Sequence, residues 1–215
     1  RVGKDGGFSS ATVTRESDVP RAVKMALEGA RTVVKTESKK TELAEVPAVR
    51  ETVSLELDGD PREIDIDEKI DLTRKYNELM LEQPDIETTN LAYREVGREK
   101  FFVNTQGTEI SEELITTNII GEVIAKRGSL VQNTRVAIGG ADGYNRLLDR
   151  DEVFVERARI AGKLLDAEPV KGGTYDVILS PLLAGVFTHE AFGHFSEADL
   201  IEDNPSLREK MSLGE

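Results

Sequence analysis

The chain holds two histidines, and both stand in one short run, His189-Glu190-Ala191-Phe192-Gly193-His194. Neutral imidazoles bind Zn²⁺ well, and a catalytic zinc keeps one position open for water. Such an ion lowers the pKa of that water to about 7, which supplies a nucleophile at neutral pH. Glu190 directly follows the first histidine and is the candidate general base. His189 and His194 are therefore the candidate metal ligands, zinc the candidate cofactor, and hydrolysis the candidate chemistry. The plainer alternative is a pair of surface or core histidines that hold no metal.

The spacing constrains the scaffold. Histidines four apart stand about 40° apart around a helix of 3.6 residues per turn, whereas five apart they stand about 140° apart. An undistorted helix would not aim His189 and His194 at one ion. The chain is expected to change path between them, by a π-bulge or a helix end at Phe192-Gly193, where glycine permits distortion at low steric cost.

Two imidazoles do not complete a zinc site. Glu197 and Asp199 lie just beyond His194 and offer suitable oxygens. They serve equally as partners that hydrogen-bond the imidazoles, or as caps of the next loop, and that reading is preferred. Leu182, Leu183, Val186, Phe187 and Phe192 are read as core packing rather than a substrate pocket.

The motif needs elements to hold it. Ser180-Pro181 is a helix start, with serine as cap and proline in the first turn. Tyr175–Leu179 (YDVIL) ahead of it reads as an apolar strand. Further upstream, Phe8–Thr14 reads as a short strand. A helix follows, with Asp18 as cap and Ala22, Val23, Ala26, Leu27, Ala30 and Val33-Val34 at helical spacing, ending near Lys35. Residues 36–63 form a charged connection in which Glu51–Leu57 alternates as a strand. A second helix spans about Asp67 to Leu81. Residues 86–138 read as a β-meander of about four or five strands, with turns at Gly97-Arg98, Gln106-Gly107 and Arg127-Gly128. The glycine cluster at 139–143 has no Lys-Ser/Thr and no GxGxxG form, so it is a turn and not a phosphate loop. Asp149–Ala167 is a long helix. The expected fold is α+β: an antiparallel β-meander packed with helices, and the HExxxH motif on a distorted helix following a strand. Residues 1–170 make an α+β domain, and 171–215 make the strand and motif helix leading into a further domain.

Composition narrows the partners. Lys and Arg total 28 against 41 Asp and Glu, a formal charge of −13. That argues against direct nucleic-acid binding, which needs basic surface to neutralise phosphates. The absence of cysteine excludes a disulfide framework and any Cys-ligated metal site built from this chain alone. No apolar run approaches the roughly 20 residues of a membrane span, and no signal peptide is visible, so a cytoplasmic protein is expected. Arg1 is not a start methionine and the motif lies close to Glu215. The sequence is read as a piece of a longer protein, cut at both ends.

The run from Thr174 to Asp199 resembles the TldD/PmbA family, described as modulators of DNA gyrase. Pro181, Ala184, Gly185, His189, Glu190, Gly193, His194, Glu197 and Asp199 fit its pattern. Phe8–Val34 resembles the family's strand and Ala-rich helix, and Asn104–Gly107 (NTQG) a turn of its meander. The PmbA-type members lack the metal motif, so the resemblance is to the TldD branch. It implies that His189 and His194 bind zinc, that Glu190 is the base, and that a cysteine from a C-terminal domain is the third ligand. It also implies a peptidase acting on unfolded or extended peptides. The assembly implied is a homodimer, or a heterodimer with a PmbA/TldE-type subunit, enclosing a chamber.

The leading expectation is a zinc metalloprotease that hydrolyses peptide bonds with a Glu190-activated, zinc-bound water. This piece alone is expected to be inactive, for want of a third strong ligand. A peptidase of the dipeptidyl-peptidase III type shares the histidine spacing, but the meander argues against its mostly helical fold. A reading of another class is a noncatalytic regulator that binds a toxin-system or gyrase component and uses the metal structurally.

Overall fold

The structure is a computed structural model that describes residues 1–36, 40 and 42–211. The expected charged connection at 36–63 thus lies partly outside the described residues, as does the end of the expected 171–215 segment. The chain forms two compact units, Arg1–Asp166 and Ala167–Glu215.

The first unit opens with a hairpin rather than the single strand expected at Phe8–Thr14. Strand β1 (Val2–Lys4) pairs antiparallel with β2 (Gly7–Ser9). The turn is Asp5-Gly6, both at positive φ (55° and 88°), the Asp-Gly chemistry that suits the twist of a two-residue hairpin loop. Helix α1 (Val19–Thr36) lays Ala22, Ala26 and Ala30 against this hairpin. The approach is close: a Cβ on Gly7 would stand 2.1 Å from the Ala30 carbonyl oxygen.

Strand β3 (Arg50–Ser54) and helix α2 (Ile66–Leu81) follow, then three long strands. These are β4 (Ile86–Val103), β5 (Glu109–Arg127) and β6 (Leu130–Gly140). Strand β5 is central. Strand β4 runs antiparallel along one side of it, while β6, antiparallel, and β3, parallel, share the other. The sheet is therefore mixed at one corner, where the sequence suggested a purely antiparallel meander. It also has fewer and longer strands than expected. Gly97-Arg98 does not turn but pairs with Ile115 and Leu114, because β5 offers an unbroken partner and Gly97 sits in open space. Likewise Glu109–Arg127 is one unbroken strand.

Alternation along β5 buries Ile115, Thr117, Ile119, Val123 and Ala125, all at odd positions and so on one face of the pleat. Helix α2 and helix α3 (Asp151–Leu164) pack on the sheet and supply Tyr76, Met80, Phe154, Ala158 and Ala161 to the core. Tyr76 and Phe154 stack with ring centroids 4.2 Å apart. The buried Tyr76 hydroxyl donates to the Leu147 carbonyl at 2.6 Å and accepts from the Arg150 amide at 3.1 Å. This α+β architecture is the expected one.

The glycine cluster after β6 is a clasp. Gly143 has φ 115°, and a Cβ there would lie 2.3 Å from the Asp58 carbonyl oxygen. Three backbone bonds lock the two segments: Asp58 N–H to Asp142, Asn145 N–H to Asp58, and Tyr144 N–H to Gly59.

The second unit is helical among its described residues: α4 (Pro181–Thr188), α5 (Ala198–Asp203) and α6 (Pro205–Lys210), with the motif between α4 and α5. The strand expected at Tyr175–Leu179 is not formed. A strand exists by pairing, and no ladder partner reaches these residues among those described. The motif helix therefore follows an unpaired apolar run. No helix among the described residues is long and apolar enough to cross a membrane.

Candidate metal centre

Helix α4 starts as its sequence demands. The Ser180 hydroxyl accepts from the Leu183 amide at 3.3 Å, and Pro181 occupies the first turn. The helix then widens: His189–Gly193 is a π-helical segment, and the His194 amide donates to the His189 carbonyl. An i→i+5 bond adds about one residue to a turn, which removes most of the angular offset that an α-helix would put between histidines five apart. The two rings come to rest edge to face, centroids 4.3 Å apart and planes at 67°.

Glycine plays a smaller part in this than its identity suggested. Gly193 has φ −55° and ψ −54°, ordinary right-handed helical values open to any residue. A Cβ there would touch the His189 ring, 3.5 Å from Nδ1, which is normal van der Waals contact. The widening does not require the glycine.

After the π segment the chain tightens. His194–Ser196 is a 3₁₀ turn, with Glu197 N–H donating to the His194 carbonyl at 3.2 Å. The Ser196 hydroxyl braces it by donating to the Gly193 carbonyl at 2.9 Å.

His189, Glu190 and His194 each place one ligand atom in a group whose members lie within 4.8 Å of one another. Glu190 Oε2 is 3.8 Å from His194 Nε2. Tetrahedral zinc, at about 2 Å from each donor, needs donors roughly 3.3 Å apart. Two imidazoles are donors zinc favours, and a carboxylate beside them suits a zinc-bound water, so the residues fit the ion. His189 and Glu190 are exposed and His194 is half-buried, which leaves the group open to a ligand.

The two carboxylates weighed as further ligands stand outside this group. Glu197 Oε1 lies 3.0 Å from His194 Nδ1, and Asp199 accepts from the Leu200 amide at 3.0 Å. Leu182, Leu183, Val186, Phe187 and Phe192, expected in a core, are all exposed. A unit of short helices following one another encloses too little volume to bury them.

The first unit holds a charged group that sequence reasoning missed. Lys69, a buried residue of α2, pairs with Glu95 at 2.8 Å, and the Tyr93 hydroxyl donates to the same oxygen. The residues are remote in sequence and carry no motif. Lys69 and Tyr93 line a cleft of about 430 Å³ between α2 and β4.

Comparisons with known proteins agree with the fold. Residues 59–167 match the model of the PmbA/TldA metallopeptidase central domain. The metalloprotease slr0863 of Synechocystis sp. is 35% identical over 216 residues, covering 100% of this chain and 46% of that protein. The metalloprotease MJ0996 of Methanocaldococcus jannaschii is 29% identical, over 97% of this chain and 46% of that protein. A protein of Saccharolobus solfataricus named zinc metalloprotease TldD homolog is 28% identical, over 72% of this chain and 35% of its own length. The chain thus spans about half the length of the first two relatives. A crystal structure from Thermotoga maritima, described as a modulator of a DNA gyrase, superposes with a TM-score of 0.56 at 16% identity. It covers 79% of this chain and 38% of that one, and so bears on fold. A central-domain match across half of the sequence, joined to relatives named metalloproteases, places the chain in the PmbA/TldD metallopeptidase family.

Proposed function

We propose that this chain carries the metal-binding helix of a zinc-dependent peptidase that hydrolyses extended peptides, with His189 and His194 as ligands and Glu190 as base. The observation that carries the reading is the convergence of these three side chains, within 4.8 Å, across a turn widened to suit their spacing. A zinc ion held there supplies Lewis acidity to a water and to a peptide carbonyl.

The chain's own residues do the rest. His189 and His194 orient two donor nitrogens. Glu190 Oε2, beside His194 Nε2, takes the proton of the attacking water and returns it to the leaving amine. Glu197 and Asp199 are engaged elsewhere, so a third protein ligand is supplied from outside this group. The TldD resemblance makes it a cysteine. The same proposal includes a division into residues 1–170 and 171–215, a cytoplasmic location, and a homodimer or a heterodimer with a PmbA/TldE-type subunit.

The test uses the full-length protein that contains this chain. Glu190→Gln is expected to keep zinc at one per protomer and to lower peptide hydrolysis at least a hundredfold. His189→Ala is expected to lose both. Full activity in Glu190→Gln would remove Glu190 from the chemistry, and unchanged zinc content in His189→Ala would remove the site.

A further inference from the structure

We propose that Glu197 is a positioning residue for His194, one that fixes its tautomer and presents Nε2 rather than Nδ1 as the metal-binding atom. The inference rests on the metal-site reading above for its purpose, but its geometry stands independently.

A histidine ligand offers one lone pair and must keep its proton on the other nitrogen, and which nitrogen does so is set by the partner of the N–H. An ionised carboxylate can only accept a hydrogen bond. With Glu197 Oε1 3.0 Å from His194 Nδ1, the proton belongs on Nδ1 and the lone pair on Nε2. On the opposite side of the ring Nε2 stands 3.8 Å from Glu190 Oε2, too far for a hydrogen bond. Glu197 is therefore the acceptor that sets the tautomer, and Nε2 is left facing the group of candidate ligands. One carboxylate holds the back of the imidazole while the other waits at its front.

The backbone is wound to make this possible. In a 3₁₀ turn the side chains at i and i+3 eclipse. The turn His194–Ser196, closed by Glu197 N–H on the His194 carbonyl and braced by Ser196 on Gly193, therefore brings Glu197 back over His194. The two departures from α-helical winding have separate tasks. The wide turn sets His194 against His189, and the tight turn sets Glu197 against His194. Glu197 is thereby a partner of the ligand and not itself a ligand.

Wild type, Glu197→Ala, Glu197→Gln and the control Asp199→Asn would be compared in the full-length protein. Nitrogen-15 shifts of the His194 ring, read in the zinc-free protein at a pH where the ring is neutral, report the tautomer. Zn²⁺ affinity is read by competition with a chromophoric chelator. Wild type and Asp199→Asn are expected to show a protonated Nδ1 and equal affinity. Glu197→Ala is expected to shift the proton toward Nε2 and to weaken zinc roughly 10–100-fold. Glu197→Gln, whose amide oxygen can still accept from Nδ1, should fall between the two.

A wild-type ring protonated on Nε2, or a Glu197→Ala protein with unchanged tautomer and affinity, would overturn the proposal. So would a loss in Glu197→Gln as deep as that in Glu197→Ala, beyond a thousandfold, since that marks a direct ligand. If wild type shows the Nδ1 tautomer but binds no zinc, the positioning holds and the peptidase reading fails. The wild-type spectrum alone decides the tautomer should a variant not fold.

Discussion

Gly143 is a point at which the first unit is sensitive to a single methyl group. Alanine there meets two costs. The φ of 115° lies in a region that side chains avoid, at about 1–3 kcal/mol. The new Cβ would also lie 2.3 Å from the Asp58 carbonyl oxygen, so the segment at Asp58-Gly59 must move away. That strains the three backbone bonds of the clasp, each worth about 0.5–1.5 kcal/mol net. Losing two of them brings the total to roughly 2–6 kcal/mol, a large part of the 5–15 kcal/mol that holds a typical domain together. The control is Gly128→Ala, with φ 63° and nothing within 4 Å of the added methyl, which costs about 1 kcal/mol through the backbone alone. In urea, with a slope of about 2 kcal/mol/M, Gly143→Ala should lower the unfolding midpoint by roughly 2 M, and Gly128→Ala by about 0.5 M. Equal shifts in the two variants would show that the close approach to Asp58 contributes nothing, and the account of the clasp would be wrong.

Two further outcomes follow from particular contacts. Burial works to raise the Glu95 carboxyl, but hydrogen bonds from Lys69 and Tyr93 outweigh it and hold the group below its usual value. Its contribution to stability is therefore present at neutral pH and is lost as pH falls below about 4. The loss of stability on acidification, read from urea melts across that range, should be shallower in Glu95→Gln, and an identical slope would exclude the Lys69–Glu95 pair as a source. Gly193→Ala should fold with unchanged helical circular dichroism and should alter zinc affinity less than about tenfold, because the backbone there is ordinary helix. Loss of zinc binding in that variant would show that the added methyl on the His189 ring matters more than its 3.5 Å contact implies.

What the sequence disclosed follows the range of the forces involved. Local signals held. Ser180-Pro181 starts its helix, and α1 and α2 lie within a residue or two of their periodic patterns. The histidine spacing correctly demanded a distortion, and the distortion is a π segment beginning at His189. Pairing was less legible. Gly97 looked like a turn until β5 supplied a continuous partner, and Tyr175–Leu179 looked like a strand although nothing described pairs with it. The parallel match of β3 to β5 and the Lys69–Glu95 pair join residues far apart in sequence, and no periodicity encodes such contacts. Asp5-Gly6 was the missed local cue: a hairpin turn stood in the sequence and its strands were too short to draw notice.

The π segment bears on how metal helices are compared. Ligands four apart on an α-turn and ligands five apart on a π-turn converge on the same arrangement, because the local winding number absorbs the extra residue. The count of residues between two ligands is then a measure of pitch and not of kinship. In this chain the insertion is cancelled within the motif itself, since the tight turn at His194–Ser196 follows the wide one at once. The over- and underwound turns offset each other, so an added residue need not propagate as a rotation of everything downstream. A metal helix can thus gain or lose one position between its ligands, provided that the gain is taken up before the helix axis has advanced a full turn.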